Sequence, residues 1–245
     1  MGHGRVLGFM TMSNITRAEA MERSANITVD HYDVILDLGT DLPTSETTFP
    51  SKTTVTFTAQ PGTSSWIDLI AESVSKVVLN GAELDVATVV SNGRIHLSNL
   101  AQENTLIVDA MCIYSRTGEG LHRFVDPVDK EVYLYTQFEV ADSRRMFASF
   151  EQPDMKATYS FTVTGPSHWH VVSNSPTPAA TPARNGMSTW TFAKTERMST
   201  YITALVAGPY HVVEDSYTGI YGTIPLRMFC RGSVAQYLDA EDMFL

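Results

Sequence analysis

Apolar and polar residues alternate with a period of two along most of this chain. Tyr32, Val34, Leu36 and Leu38 alternate with Asp33 and Asp37. Val55, Phe57 and Ala59 alternate with Thr54, Thr56 and Thr58, and Tyr159, Phe161 and Val163 with Ser160, Thr162 and Thr164. Successive side chains of a strand point to opposite faces, so each run predicts a half-buried antiparallel strand. Further strand-like runs occupy residues 66–70, 105–110, 201–207 and 224–229. Asn80-Gly81, Asn92-Gly93 and Asn185-Gly186 read as type I′ hairpin turns, whose two central residues both need positive φ.

Helical signals are few. Thr16 and Glu19 form a capping box that opens a short helix toward Ser24. Ser233 and Gln236 read as a second box, followed by Val234, Tyr237, Leu238 and Phe244 at roughly helical spacing. That last helix reaches Leu245 with no C-cap, so the expectation is a chain cut from a longer protein. The Pro-rich stretch 175–182 reads as a loop within one domain, because strands resume after it. The predicted fold is all-β: a large antiparallel β-sandwich or saddle of sheets with a few short peripheral helices.

With 43% hydrophobic and 18% charged residues in 245, the chain is globular and long enough for a substantial core. Its net charge of -10, with no block of Lys or Arg, argues against nucleic acid and anionic membrane as partners and favours cationic ligands. No apolar run reaches membrane-spanning length, and the first ten residues lack the apolar segment of a signal peptide. A cytoplasmic protein is expected. Cys112 and Cys230, far apart in apolar runs, read as free buried thiols.

Chemical motifs are scarce. H-E-x-x-H, paired C-x-x-C, phosphate-binding glycine loops and G-x-S-x-G are all missing from the sequence. His168 and His170 could share a strand face and a metal, but with no third ligand nearby they read as surface histidines flanking a buried Trp169. Asp126, Asp129 and Glu131 read as a solvated acidic turn, and the glycines of GEGLHRF (118–124) as turn residues that could shape a pocket rim. Gln137 and Glu139, two apart in the aromatic run YLYTQFE, would project an amide and a carboxylate from one strand face. Asp142 follows as a helix N-cap, with Arg144 and Arg145 in the next turn. This pair could bind a cation such as an amine. It could equally be a solvated strand face with Glu139 paired to Arg144 or Arg145.

The run TQFEVADSRRMFASFEQPDMKA (136–157) resembles the N-terminal domain of the aminopeptidase N family of zinc metallopeptidases. In that family a Gln-x-Glu strand precedes an Asp-x-Arg-Arg turn and a Phe-Asp-Glu/Gln-Pro segment ending in Lys-Ala. Glu151 stands here where the family usually has Asp, and Phe147, Phe150 and Pro153 read as core packing. The segments GEGLHRFVDPVDKEVYLYTQFE, TALVAGPYHVV and CRGSVAQYLDAEDMF resemble its actinobacterial branch. The likeness covers residues 13–245 and leaves 1–12 as an upstream extension or expression remnant.

The resemblance implies an N-terminal β domain over 13–232, with 233–245 beginning a catalytic domain. It implies that Glu139 receives the α-amino group of a peptide substrate with a free N-terminus and that Gln137 lines the first side-chain pocket. Arg144 and Arg145 would anchor the turn. Zinc and the catalytic residues would belong to the protein's own catalytic domain, the partner of this one, so this chain would hold no catalytic or metal residue and be inactive alone. The alternatives are a catalytically silent scaffold relative and a free-standing β-sandwich that binds peptides or glycans.

Overall fold

Thr16 caps the first helix as its sequence indicates. Its hydroxyl accepts the Glu19 N–H at 3.2 Å, and the Glu19 carboxylate accepts the Thr16 N–H at 2.8 Å. Helix α1 (Arg17–Asn26) passes directly into strand β1. The computed structural model describes residues 14–43 and 45–244, so the extension read at 1–12 lies outside the described residues.

In chain order the first strands are β1 (Ile27–Asp37), β2 (Thr48–Ala59), β3 (Ser65–Asp68), β4 (Ser73–Leu79) and β5 (Ala82–Glu83). Helix α2 (Val86–Val89), β6 (Val90–Ser91), β7 (Arg94–Leu97), β8 (Glu103–Ile113), β9 (Gly120–Val125) and β10 (Val132–Gln137) follow. Then come β11 (Thr158–Pro166), β12 (His170–Ser173), β13 (Thr181–Pro182), β14 (Met187–Thr191) and β15 (Leu205–Gly208). A hairpin of β16 (His211–Gly219) and β17 (Gly222–Cys230) and a last helix α3 (Ala240–Phe244) complete the chain. Single 3-10 turns lie at Ser143–Arg145, Thr200–Ile202 and Gly232–Tyr237.

The fold is all-β and sandwich-like. An eight-stranded sheet runs β13-β14-β11-β1-β2-β8-β4-β5, and a four-stranded sheet runs β12-β15-β10-β9. A three-stranded sheet, β3-β7-β6, and the β16-β17 ribbon are smaller. No helix among the described residues is long and apolar enough to cross a membrane.

The period-two runs bury the side chains they should: Tyr32, Val34, Leu36, Val55, Phe57, Tyr159, Phe161 and Val163 all face the core. Direction is another matter. β1 pairs antiparallel with β2 but parallel with β11, in a register that sets Tyr32 beside Tyr159. Their rings stack with centroids 5.0 Å apart. Phe147 then meets Tyr32, Tyr159 and Phe161 edge-on at 5.9, 6.3 and 6.0 Å. Such edge contacts suit the ring quadrupole and lock one packing. The segment that follows Gln137 and Glu139 is thus driven beneath the main sheet.

Several local expectations change. Asn80-Gly81 and Asn92-Gly93 have positive φ at both positions, as a type I′ turn requires, but at Asn185-Gly186 only Gly186 does. There Met187 N–H bonds to Arg184 carbonyl, placing the left-handed residue third, as in a type II turn. Residues 200–202 form a 3-10 turn instead of opening a strand, because Ile202 and Thr203 N–H turn back onto Ser199 and Thr200 carbonyls. Pro153 is exposed, unlike buried Phe147 and Phe150. Ser233 makes no capping box: its hydroxyl donates to Asp126 at 2.6 Å. Of the two thiols, both free, only Cys112 is fully buried, and burial pushes it up to about 12.

Glu19 also pairs with Arg94 at 2.6 Å, and this bond, followed by the Thr16 N–H, lowers its carboxyl from 4.5 to about 2. A depressed folded-state value means stabilisation that is complete above the unfolded value and lost as pH falls through the folded one. Glu19→Gln is therefore expected to unfold at lower urea than the parent chain near neutral pH. The gap should close between about pH 4.5 and about pH 2. A pH-independent gap would remove Glu19 titration as its source.

Candidate functional site

Strand β10 buries Tyr133 and Leu134 and leaves Tyr135 and Gln137 exposed on one face. It ends at Gln137, so Glu139 lies beyond it in a turn and the two do not share a strand face. What joins them is a hydrogen bond: Glu139 N–H donates to Gln137 Oε1 at 2.8 Å. Phe138 between them is buried against Phe147, and its carbonyl accepts the Asp142 N–H at 3.2 Å. The reversal is thus pinned by a ring below and a backbone bond across it. Both Gln137 and Glu139 are exposed, and no ion pair among the described residues involves Glu139.

The arginines do not neutralise Glu139. Asp142 occupies the cap position of the Ser143–Arg145 turn without a capping bond and takes Arg145 Nε at 2.7 Å instead. Arg145 also approaches Glu119 at 4.0 Å. Its side chain lies over Gly120, which stands opposite Gln137 in the β9–β10 register. The glycine of GEGLHRF is therefore required by close approach as well as by turn geometry.

Behind this turn sits a carboxylate whose role the sequence does not disclose. Glu151 is buried and accepts from Ser143 Oγ, from Arg144 N–H at 2.8 Å and from Thr200 Oγ1 at 2.8 Å. Burial pushes its carboxyl up, and the Ser143, Thr200 and Arg144 donors oppose that shift. Glu151 N–H donates in turn to Asp68, which pairs with the enclosed Arg23 at 2.7 Å. Arg23 also donates to Gln152 at 3.2 Å and lies over the Trp66 ring at 4.9 Å. No local pattern reveals this, since the partners come from α1, β3 and the 151–152 segment.

Two further residues complete the exposed face. Tyr135, 39% exposed, lies two positions before Gln137, and His122 pairs with it across β9 with ring centroids 4.8 Å apart. Gly118 N–H donates to His122 Nδ1, so that nitrogen carries no proton, and burial lowers the imidazole pKa. Strand alternation alone could have found Tyr135. His168 and His170 are exposed around a buried Trp169. Among the described residues no three His, Cys, Asp or Glu side chains gather as a metal ligand set.

Asp126 corrects the reading of an acidic solvated turn. It is wholly buried and accepts Val128 N–H at 2.8 Å, Arg231 Nη1 at 2.6 Å and Ser233 Oγ at 2.6 Å. The Ser233 hydroxyl, then the Val128 N–H, hold its carboxyl below the usual range.

Gly120 has φ +68, and a Cβ there would meet Arg145 Cβ at 2.9 Å. Gly120→Ala is expected to cost about 1 kcal/mol or more in urea unfolding and to shift the amide resonances of Gln137 and Arg145. An unchanged midpoint with unmoved resonances would contradict the close approach.

Residues 28–202 match the peptidase M1 N-terminal domain. Over 237 residues the chain is 51% identical to aminopeptidase N of Streptomyces lividans, covering 96% of this chain and 27% of that protein. It is 46% identical over 86 residues to aminopeptidase N of Acetobacter pasteurianus, or 35% of this chain and 24% of that protein. Over 101 residues it is 33% identical to aminopeptidase N of Bos taurus, covering 39% and 10%. The chain thus spans about a quarter of the length of the Streptomyces relative. The matched segment contains β1 from its second residue, β2 to β14, the Gln137–Glu139 reversal and the buried Glu151. The chain belongs to the peptidase M1 N-terminal domain family.

Proposed function

We propose that this domain reads the free N-terminus of a peptide within a zinc aminopeptidase, Glu139 taking the α-ammonium group and Gln137 helping to orient the first residue. The observation that carries this is a carboxylate held on a pinned turn, exposed, and without an ion-pair partner among the described residues. An α-amino group ordinarily titrates at about 7.7–8.0 and is largely cationic near neutral pH. An exopeptidase must recognise that cation and exclude chains that extend past it. A carboxylate in a cleft closed from water does both, because charge-assisted hydrogen bonds strengthen there. Gln137 has its carbonyl oxygen engaged by Glu139, so its amide N–H groups are what it offers a ligand.

Hydrolysis would come from zinc and catalytic residues elsewhere in the parent protein, since the described residues do not fit a zinc site. The part of the parent beyond residue 245 is also the proposed partner of the β16–β17 ribbon. That hairpin exposes Ile220 at 92% and Tyr221 at 98%, with Tyr217 and Ile224 beside them. A two-stranded hairpin is marginal in water unless something packs on it. The Streptomyces relative is several times longer than this chain, and β17 leads directly into the outgoing segment.

In the full-length enzyme, Glu139→Ala is expected to lower kcat/KM for free peptides by roughly 30-fold to several thousand-fold, the equivalent of about 2–5 kcal/mol. N-acetylated peptides, poor substrates of the parent enzyme, should show no comparable further loss. Equal activity of the variant on free peptides would remove Glu139 as the amine anchor. Residues 1–245 alone, given zinc and an amino-acid arylamide, are expected to release no arylamine above blank.

A further inference from the structure

Asp126 sits in the loop between β9 and β10, and bonds that hold residues 231–233 gather on this loop and the start of β10. Its buried carboxylate takes Arg231 and Ser233, each at 2.6 Å. Three residues on, Asp129 accepts the Tyr133 hydroxyl at 2.8 Å, and that hydroxyl oxygen accepts Gly232 N–H at 3.0 Å. The Arg231 guanidinium also lies over the Phe124 ring at 4.7 Å. Three consecutive residues, 231 to 233, are therefore fastened to one hairpin.

Beyond Ser233 the attachment stops. Every hydrogen bond of described residues 234–244 is internal to 231–244, and none of the side chains there is fully buried. The fastening also joins distant parts of the chain, since Asp126 lies inside the matched residues 28–202 and 231–233 lie after them. Tyr133 shares strand β10 with Gln137, four residues or roughly 13 Å away along the strand. One end of the strand holds the exit of the chain and the other holds the recognition turn.

We propose that Asp126, Arg231, Ser233 and the Asp129–Tyr133 pair form a clamp that fixes where the chain leaves this domain relative to β10. They are positioning residues: they set the distance between Glu139 and the part of the parent enzyme that follows, and the inference rests on Glu139 as the amine anchor. The polar partners are matched for this role. A fully enclosed carboxylate needs its donors, and two of them, Arg231 and Ser233, come from the outgoing segment. Losing them leaves a buried charge short of partners, so the segment has one favoured seat. Misplacing a reacting group by about 1 Å can cost about a hundredfold in rate, which is the scale on which such a clamp acts.

The test uses the full-length enzyme with Arg231→Ala and Ser233→Ala, which remove donors from the outer side of the clamp. Asp126→Ala serves as the harsher variant. Two readouts are followed: hydrogen exchange at the Gly232 amide, and a double-mutant cycle with Glu139→Ala on kcat/KM for a free dipeptide arylamide. The expected result is faster Gly232 exchange and a fall of roughly tenfold to a hundredfold in kcat/KM. The penalty of Glu139→Ala should shrink at least several-fold in either background, and Arg231→Lys should restore part of both. A merely structural contact would leave the Glu139 penalty unchanged. Fast exchange with an undiminished Glu139 penalty overturns the clamp and leaves Glu139 as the anchor. Absence of any Glu139→Ala penalty in the otherwise unaltered enzyme overturns the anchor, and the clamp with it.

Discussion

The guanidinium of Arg23 is completely enclosed, and an enclosed cation has to be matched by an anion and by acceptors held in good geometry. Asp68 supplies the anion and Gln152 an acceptor, while Trp66 offers the face of its ring. Removing one member of such a pair costs about 3–5 kcal/mol, because the other is left charged and alone. Helix α1, strand β3 and the 151–152 segment are therefore tied to one another through Arg23. Asp68 is further held by an antiparallel bridge to Ser149, with bonds of 2.9 and 3.0 Å. Ile70 N–H closes on Arg144 carbonyl at 2.7 Å. The constraint set by Arg23 thus reaches the turn that follows Glu139 in two bonded steps.

Glu151 extends the same logic with a different balance. Among the described residues it forms no ion pair; hydroxyl and backbone donors stabilise it, and burial keeps its proton affinity high. Its donors come from the Ser143–Arg145 turn and from the turn at Thr200, so one carboxylate links two short helices. Short 3-10 turns have poor internal hydrogen-bond geometry. They persist here because side chains from beneath complete their bonding. The turn that carries Glu139 is pinned in a similar way, by buried Phe138 and the Asp142 N–H, and a preorganised position is what the proposed cation site needs.

The period-two runs disclosed the buried faces of β1, β2 and β11, because that periodicity is a local property of the pleat. They could not disclose that β11 runs parallel to β1, since alternation is the same for both directions. Gln137 and Glu139 were legible as a pair, and family resemblance gave them a role. Their geometry was not legible, because Phe138 is drawn into the core against Phe147, a contact between elements. Asp126 is the clearest case of misleading local chemistry. An acidic loop with a proline looks solvated, and only the return of Arg231 and Ser233 from the far end of the chain makes it interior. Arg23 and Glu151 were silent for the same reason, their partners being distant in sequence.

Placing the carboxylate one residue past the buried Phe138, and not within β10, has a physical consequence. A side chain inside a strand stands among cross-strand neighbours, and on this face those are His122 and Tyr135. Glu139, beyond the end of the ladder, escapes that crowding. Its own N–H is satisfied by Gln137, so that donor does not turn back onto its own carboxylate. Arg145 is diverted to Asp142 and Glu119. Among the described residues the carboxylate is thus left exposed and without an ion-pair partner at the end of the ladder, while Arg145 is engaged by two other carboxylates.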